Sequence, residues 1–76
     1  MNDILKYISI NPDIRFGKPC IKGTRIAVAD ILQWLASGIS NNEILEDYPL
    51  LEEFHIKAAL TFAANREACI KIISAA

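Results

Sequence analysis

The amino-acid sequence predicts a mainly α domain, in which an N-terminal β segment and a hairpin come before a three-helix helix-turn-helix bundle. In the first third of the chain, short β-prone pieces alternate with turn residues. From Val28 onward, the apolar residues recur at the spacing of an α-helix. Gly38 and Pro49 divide this second part into three helical segments, because glycine often ends a helix and proline cannot continue one.

Length and composition define one domain that has an excess of apolar residues. The 76 residues leave no room for a second core, so we predict a single domain over residues 1–76, with the β segment and hairpin in 1–27 and the helical bundle in 28–76. A chain of this size buries only about 60% of the surface that its unfolded form exposes. Since 53% of the residues are hydrophobic, we expect a homodimer that buries part of the excess, built with the N-terminal β segments and apolar helix faces.

The sequence carries no membrane-spanning or targeting signal, and its cysteines do not form a motif. Charged residues interrupt every apolar run well before the roughly 20 residues that a transmembrane helix needs. The start of the chain lacks the basic and apolar regions of a signal peptide. We therefore expect a cytoplasmic protein in which Cys20 and Cys69 remain free thiols, because reducing compartments disfavour disulfides.

Charge is unevenly distributed along the chain, although the net charge is only −1. Residues 1–29 carry a net charge of +3, residues 30–56 carry −6 and residues 57–76 carry +2. A basic first third beside an acidic middle favours binding to acidic partners or to a second copy of the chain.

The β part consists of one segment and one hairpin. Residues 7–10 are β-prone and end at Asn11-Pro12, a turn signal. The stretch GKPCIKGTRI then places Lys22 and Gly23 between two short β-prone pieces, and Gly23 supplies the positive φ of a tight hairpin turn. The stretch is not a phosphate-binding P-loop, because no lysine separates Gly23 from the following threonine. It is either a hairpin with solvated basic edges or a basic contact for phosphate or an acidic partner.

The three helices are delimited by local signals. Apolar residues at helical spacing from Val28 define the first helix, and Gly38 ends it as a C-cap. Ser40 and Glu43 form a capping box at the start of the second helix. The third helix begins at about Glu53, runs to the C-terminal end and is apolar on more than one side. One apolar stripe contains Ile56, Leu60, Ala63, Ile70 and Ile73, and another contains Phe62 and Cys69.

The last two helices have the spacing of a helix-turn-helix domain, with residues 40–47 as the supporting helix and the helix from Glu53 as the reading helix. The charges oppose DNA binding, because Glu52 and Glu53 repel phosphate at the start of the reading helix. The polar residues of that helix that can contact a ligand are His55, Lys57, Thr61, Asn65 and Arg66. Direct DNA binding is therefore open at this point, and it would need the basic N-terminal residues of a dimer.

No group of catalytic or metal-binding residues stands out in the sequence. His55 is the only histidine, and its place near the start of the third helix favours an exposed side chain. The carboxylates of the acidic middle are typical of solvated helix faces. We therefore predict a protein that is not an enzyme and has no catalytic residue, cofactor or metal ion.

A specific pattern of residues extends over about two-thirds of the chain, as Gly-Lys-Pro, Gly-Thr-Arg-Ile, Gly-x-Ser, Glu-Ile and Tyr-Pro. It consists of Gly17, Lys18, Pro19, Gly23, Thr24, Arg25, Ile26, Gly38, Ser40, Glu43, Ile44, Tyr48 and Pro49. With this pattern the sequence resembles the domain-of-unknown-function family 433. The resemblance implies a homeodomain-like helix-turn-helix fold and the role of an antitoxin encoded beside a nuclease-like toxin of the PIN type.

Three residues depart from the pattern of that family. Ala27 stands where proline is frequent, so the first helix lacks a rigid start. Phe16 stands where glycine is common, which changes the chain path into the hairpin. Glu52 stands where a serine or threonine cap is common, so the third helix is less well capped and more negative at its start.

Together these observations predict a non-enzymatic, antitoxin-like regulator that binds a PIN-like toxin protein and has double-stranded DNA as a second candidate ligand. The alternative is a protein-interaction or dimerisation module without DNA binding. The candidate contact residues are Lys18, Lys22, Arg25, His55, Lys57 and Thr61. We expect Arg25 mainly to organise the fold, since a guanidinium there can hold carboxylates of the acidic segment bidentately.

Overall fold

The computed structural model describes residues 4–66, which fold into helices and a small β-sheet. In chain order the elements are α1 (Ile4–Tyr7), β1 (Ile8–Ser9), a single-turn segment (Arg15–Gly17), β2 (Cys20–Ile21), α2 (Val28–Ala36), α3 (Asn41–Asp47) and α4 (Glu53–Ala64). The longer helices follow the sheet, and the predicted mainly α class is confirmed. Residues 67–76, which include Cys69 and the predicted last part of the third helix, lie outside the described residues.

The sheet joins the N-terminal segment to the hairpin region. β1 pairs with β2 in an antiparallel register that places Ile8 opposite Ile21. Both side chains are buried and form the part of the core that the sheet contributes. The predicted strand over residues 7–10 is longer than the observed one, because Tyr7 ends α1 and only two residues pair.

The predicted hairpin turn at Gly23 is present. Gly23 has a φ of 81°, a conformation that glycine adopts without strain. The amide of Ile21 donates to the carbonyl of Ile26 at 2.9 Å and closes the turn. Beyond it, the second arm adds only a bridge between Cys20 and Ala27, since the chain enters α2 immediately afterwards.

The end of α2 confirms the predicted glycine C-cap. Gly38 has a φ of 95°, and its amide donates to the carbonyl of Leu35 at 3.1 Å. The amide of Ile39 donates farther back, to the carbonyl of Trp34 at 3.0 Å. This pair of bonds is a Schellman motif, which satisfies the last carbonyls of a helix and turns the chain away from its axis.

The predicted capping box at the start of α3 is also present. The amide of Glu43 donates to Ser40 Oγ at 3.2 Å, and the amide of Ser40 donates to Glu43 Oε1 at 3.2 Å. After α3 the chain makes a tight turn, in which the amide of Leu51 donates to the carbonyl of Tyr48 at 2.9 Å. Leu51 is buried and fixes the start of α4 against the core.

The core lies between the sheet and the inner faces of α2, α3 and α4. Its largest fully buried side chains are Phe62, Ile8, Ile21, Ile31, Ile44, Ile56 and Val28. Within α4 the buried face contains Ile56, Ala59 and Phe62, whereas Leu60 and Ala63 are exposed. Of the described residues in the predicted stripe of Ile56, Leu60 and Ala63, only Ile56 is therefore buried, because the neighbouring elements pack around Ile56, Ala59 and Phe62. No helix within residues 4–66 is long and apolar enough to cross a membrane.

Candidate functional site

Three successive residues before the hairpin adopt left-handed backbone angles. The φ values are 52° for Arg15, 58° for Phe16 and 80° for Gly17. A non-glycine residue in this region is disfavoured by about 1–2 kcal/mol, so two adjacent ones need support from the surrounding structure. A glycine at position 16 would adopt this angle without strain. Residues 15–17 are called the left-handed turn below.

The side chain of Arg15 fixes the left-handed turn to α2 and to the hairpin. Its Nη1 donates to Asp30 Oδ2 at 2.9 Å and to the carbonyl of Arg25 at 2.8 Å. Asp30 Oδ2 also accepts a hydrogen bond from the amide of Ala27 at 3.0 Å, at the start of α2. One carboxylate thus connects the turn, the end of the hairpin and the first turn of a helix whose N-cap residue has no polar side chain.

The electrostatics of this contact favour the ionised carboxylate. Partial burial opposes ionisation of Asp30, but the hydrogen bonds from Arg15 and from the amide of Ala27 outweigh it. The pKa of Asp30 therefore lies below its ordinary value. In turn, the hydrogen bond and the charge of Asp30 raise the pKa of Arg15.

The prediction that Arg25 holds a carboxylate is wrong. Arg15 makes that contact, and Arg25 contributes only its backbone carbonyl. The hydroxyl of Thr24 bonds to both arms of the turn, as a donor to the carbonyl of Ile21 and as an acceptor from the amide of Ile26. Arg25 lies on the exposed side of this arm, and among residues 4–66 its side chain has no hydrogen bond or ion pair.

The residues around Phe16 form an exposed surface that is both aromatic and basic. The side chain of Phe16 is 100% exposed. Lys18, two residues along the chain, and Arg25, whose carbonyl accepts from Arg15, are also exposed. The charges of Arg15, Arg25 and Lys18 oppose the rise that burial causes in the pKa of the Cys20 thiol. We call Phe16, Lys18 and Arg25 the basic loop. Lys22, another predicted contact residue, is exposed on the hairpin turn.

His55 is a capping residue rather than an exposed one. It is half-buried, and its Nδ1 accepts a hydrogen bond from the amide of Glu52 at 2.9 Å. The ring centroid lies 4.3 Å from that of Phe54 and 5.9 Å from that of Tyr7. Burial lowers the pKa of His55, and the nearby charge of Glu52 only partly opposes this. The expected surface histidine therefore closes the start of α4, where the side chain of Glu52 makes no capping bond, as predicted.

The side of α4 that faces away from the core presents apolar residues to solvent. Phe54 is 41% exposed and Leu60 is 46% exposed, and Lys57 lies exposed between them. We call Phe54, Lys57 and Leu60 the outer face of α4. Next to it, the hydroxyl of Thr61 donates to the carbonyl of Lys57 at 2.9 Å, so this predicted contact residue is partly engaged within the helix. The guanidinium of Arg66 lies 5.5 Å from the ring of Phe62.

The connection between α3 and α4 combines negative charge with exposed apolar groups. Glu46 and Asp47 are exposed at the end of α3, and Leu50 in the tight turn is 74% exposed. Tyr48 stacks on Trp34 with ring centroids 4.5 Å apart, which fixes the base of the turn. We call residues 46–50 the acidic turn. The sequence showed the negative charge of this turn but not the exposure of Leu50, because Leu50 and Leu51 are adjacent and only the fold decides which one is buried.

The described part of the chain contains no cluster of side chains that could form a metal site. Among residues 4–66, no group of three or more His, Cys, Asp or Glu side chains is close enough to hold a metal ion. The thiol of Cys20 is buried, and burial raises its pKa. The exposed features are instead the basic loop, the acidic turn and the outer face of α4.

This fold defines a small, mainly α domain that carries its charged and apolar groups on three separate surfaces. The chain belongs to the family described as protein of unknown function (DUF433), whose model matches residues 8–63. The resemblance drawn from the sequence pattern is thereby confirmed.

A solved structure and a curated sequence are similar to this chain. A crystal structure of a DUF433 member protein from Anabaena variabilis has a TM-score of 0.72 and 29% sequence identity, and the match covers 88% of this chain and 67% of that one. The uncharacterized protein y4eO of Sinorhizobium fredii is 36% identical over 58 residues, which are 76% of this chain. The match spans 26% of that curated relative.

Proposed function

We propose that this chain is a non-enzymatic, antitoxin-like regulator that self-associates as a homodimer and binds a partner protein through the outer face of α4. The observation that carries the proposal is the half-exposed pair Phe54 and Leu60, two large apolar side chains on one helix. Apolar anchors along one helix face are the features that a protein groove recognises when it binds a helix. The family resemblance suggests a PIN-like nuclease toxin as the partner.

The chemistry of α4 supports a protein partner over a nucleic acid. Its N-cap residue Glu52 and its first residue Glu53 are both exposed where a DNA-reading helix would approach the phosphates. Negative charge at that place repels the phosphate backbone, which supplies most of the affinity of DNA-binding proteins. Apolar and aromatic side chains, by contrast, are enriched in the buried centre of protein interfaces.

Double-stranded DNA is the second candidate ligand, favoured by the order of the helices. α3, a tight turn and α4 follow one another as in a helix-turn-helix domain, and Lys57 is exposed on α4. In this reading, Lys18 and Lys22 contact phosphate while Lys57 and Thr61 lie near base edges. Lys18→Ala with Lys22→Ala would then weaken binding to all sequences alike and make the salt dependence of log K shallower by about two.

A pair of matched leucine variants tests the protein-binding proposal. Isothermal titration of the chain with a PIN-like nuclease gives the dissociation constant for wild type, Leu60→Ala and Leu50→Ala. Leu60→Ala removes an anchor of the outer face and should raise the dissociation constant about tenfold, the usual effect of truncating an interface anchor. Leu50→Ala makes the same change at a more exposed leucine on another surface and should leave the constant unchanged.

The same titration separates the two candidate ligands. No binding of the nuclease, or equal effects of the two leucine variants, would refute the use of the outer face. Salt-dependent binding of a DNA duplex by wild type, weakened by Lys18→Ala with Lys22→Ala, would support the second candidate instead.

A further inference from the structure

We propose that the basic loop of one copy of this chain docks on the acidic turn of a second copy, and that this contact forms the homodimer. The inference rests on the self-association included in the proposed function and assigns residues to it. It starts from two large apolar side chains, Phe16 and Leu50, which are the most exposed ones among the described residues.

Phe16 is held in an exposed position by the structure beneath it. The amide of Gly17 donates to the carbonyl of Ile14 at 3.1 Å, and Arg15 is fixed by Asp30. Two features of Phe16 are unfavourable in an isolated chain. The left-handed backbone angle is strained, and water must surround the whole apolar ring. Burial of Phe16 against a partner would offset the second of these costs. Because the backbone beneath the ring is already fixed, binding has little main chain left to order.

Leu50 is also held in an exposed position, but the charged residues near it in the chain are acidic, whereas those of the basic loop are basic. The bond from the amide of Leu51 to the carbonyl of Tyr48 closes its turn, and Pro49 limits the backbone angle in between. Tyr48 is itself 37% exposed although it stacks on Trp34. The acidic turn therefore offers a small apolar surface with Glu46 and Asp47 at its edge.

Charge decides which surface meets which. Lys18 and Arg25 accompany Phe16, whereas Glu46 and Asp47 accompany Leu50. Two basic loops facing each other, or two acidic turns, would bring like charges together around the apolar contact, which disfavours that pairing. A basic loop against an acidic turn brings opposite charges together around Phe16 and Leu50. In a two-fold dimer this contact would occur twice.

A second copy accounts for more of the molecule than a nucleic acid does. An exposed aromatic ring beside lysine and arginine also suits a stacked base of a single strand. That ligand would use only the basic loop, and the acidic turn would repel it. Pairing of two copies uses both exposed apolar groups and both charges.

Charge-reversed chains test this pairing through sedimentation equilibrium. Wild type should approach twice the 8.4 kDa chain mass, and added salt should lower its association constant. The variant Lys18→Glu with Arg25→Glu has two acidic surfaces, and the variant Glu46→Lys with Asp47→Lys has two basic ones. Each alone should be monomeric, whereas an equimolar mixture should recover a complex of two chains. The lysines at the end of α3 are compatible with the helix dipole, so that variant should fold.

Phe16→Gly separates a role in association from a role in folding. Glycine relieves the left-handed strain, so the melting temperature, measured at protein concentrations too low for association, should rise. At higher concentrations the association constant should fall at least tenfold. A variant that merely misfolds would lower both. Leu60→Ala is the control and should leave self-association unchanged.

The results distinguish the interface from the dimer itself. If wild type is a monomer, both the proposed dimer and this inference are overturned, whereas the proposal that the outer face of α4 binds a toxin still stands. A dimer that persists in all these variants, or a mixture that fails to associate, overturns the interface only. Binding of a single-stranded oligonucleotide that Phe16→Gly removes, with self-association intact, would assign the loop to nucleic acid and contradict the inference.

Discussion

Asp30→Ala should be strongly destabilising because three segments meet on one carboxylate. The change leaves the amide of Ala27, a residue with only 1% exposure, without its acceptor. An unsatisfied buried amide costs about 1–3 kcal/mol. Loss of a negative charge in the first turn of α2 adds about 0.3–1 kcal/mol. Because Asp30 is partly exposed and water can replace some of these bonds, we expect a total of about 2 kcal/mol.

Thermal and urea unfolding, followed by circular dichroism, measure this loss. A domain of this size loses about 4–8 °C of melting temperature for each kcal/mol, so Asp30→Ala should melt about 8–16 °C below wild type. Asp30→Asn keeps a carbonyl oxygen that can accept from Ala27 and should lose roughly half as much. Asp13→Ala, the same change at an exposed aspartate, should stay within about 0.5 kcal/mol of wild type. Equal losses for Asp30→Ala and Asp13→Ala would refute the role given to this carboxylate.

Three further predictions follow from individual contacts. Burial lowers the pKa of His55 in the folded state, so the unfolded chain binds the proton more tightly. The free energy of unfolding should therefore be at its highest with respect to His55 above about pH 6.5, and it should fall as the pH drops below that value. Urea titrations over this range should show the slope in wild type and a flatter one in His55→Asn; the contribution of Asp30 is lost only below about pH 4, in a separate window. Gly38→Ala meets no atom within 4 Å but requires a φ of 95°, so it should lose about 1–2 kcal/mol in urea unfolding, and an unchanged midpoint would contradict the Schellman motif. In a Cys69→Ser background, Cys20 should react with a thiol reagent far more slowly in the native than in the denatured protein, and fast native labelling would show that it is not buried.

Features that depend on neighbouring residues in the sequence were predicted correctly. The turn at Gly23, the C-cap at Gly38 and the capping box of Ser40 with Glu43 are all present, because each is defined by bonds within a few residues. The order of sheet and helices follows from the same local signals. Even so, Tyr7 lies in a helix rather than a strand, since its β-prone character is weak evidence at a boundary.

Features that depend on tertiary contacts were missed. The pairing of Arg15 with Asp30 joins residues 15 positions apart, and nothing local distinguishes Arg15 from Arg25 as the partner. The left-handed turn was indicated only by Phe16 standing where glycine is common. The sequence showed α4 to be apolar on several sides but could not tell which side the rest of the fold covers. His55 was predicted to be exposed, because a histidine in the third position of a helix is a less common capping residue than a glutamate such as Glu43.

Binding of a protein partner through the outer face of α4 is tested most directly by an NMR titration of the isotopically labelled chain, first with a PIN-like nuclease and then with a DNA duplex. The nuclease should shift or broaden the amide signals of Phe54, Lys57 and Leu60 at sub-stoichiometric amounts, while the signal of Gly23 on the hairpin turn should stay in place. Selective changes at Lys18 and Lys22 on addition of duplex, with no response of the outer face of α4 to the nuclease, would contradict this proposal.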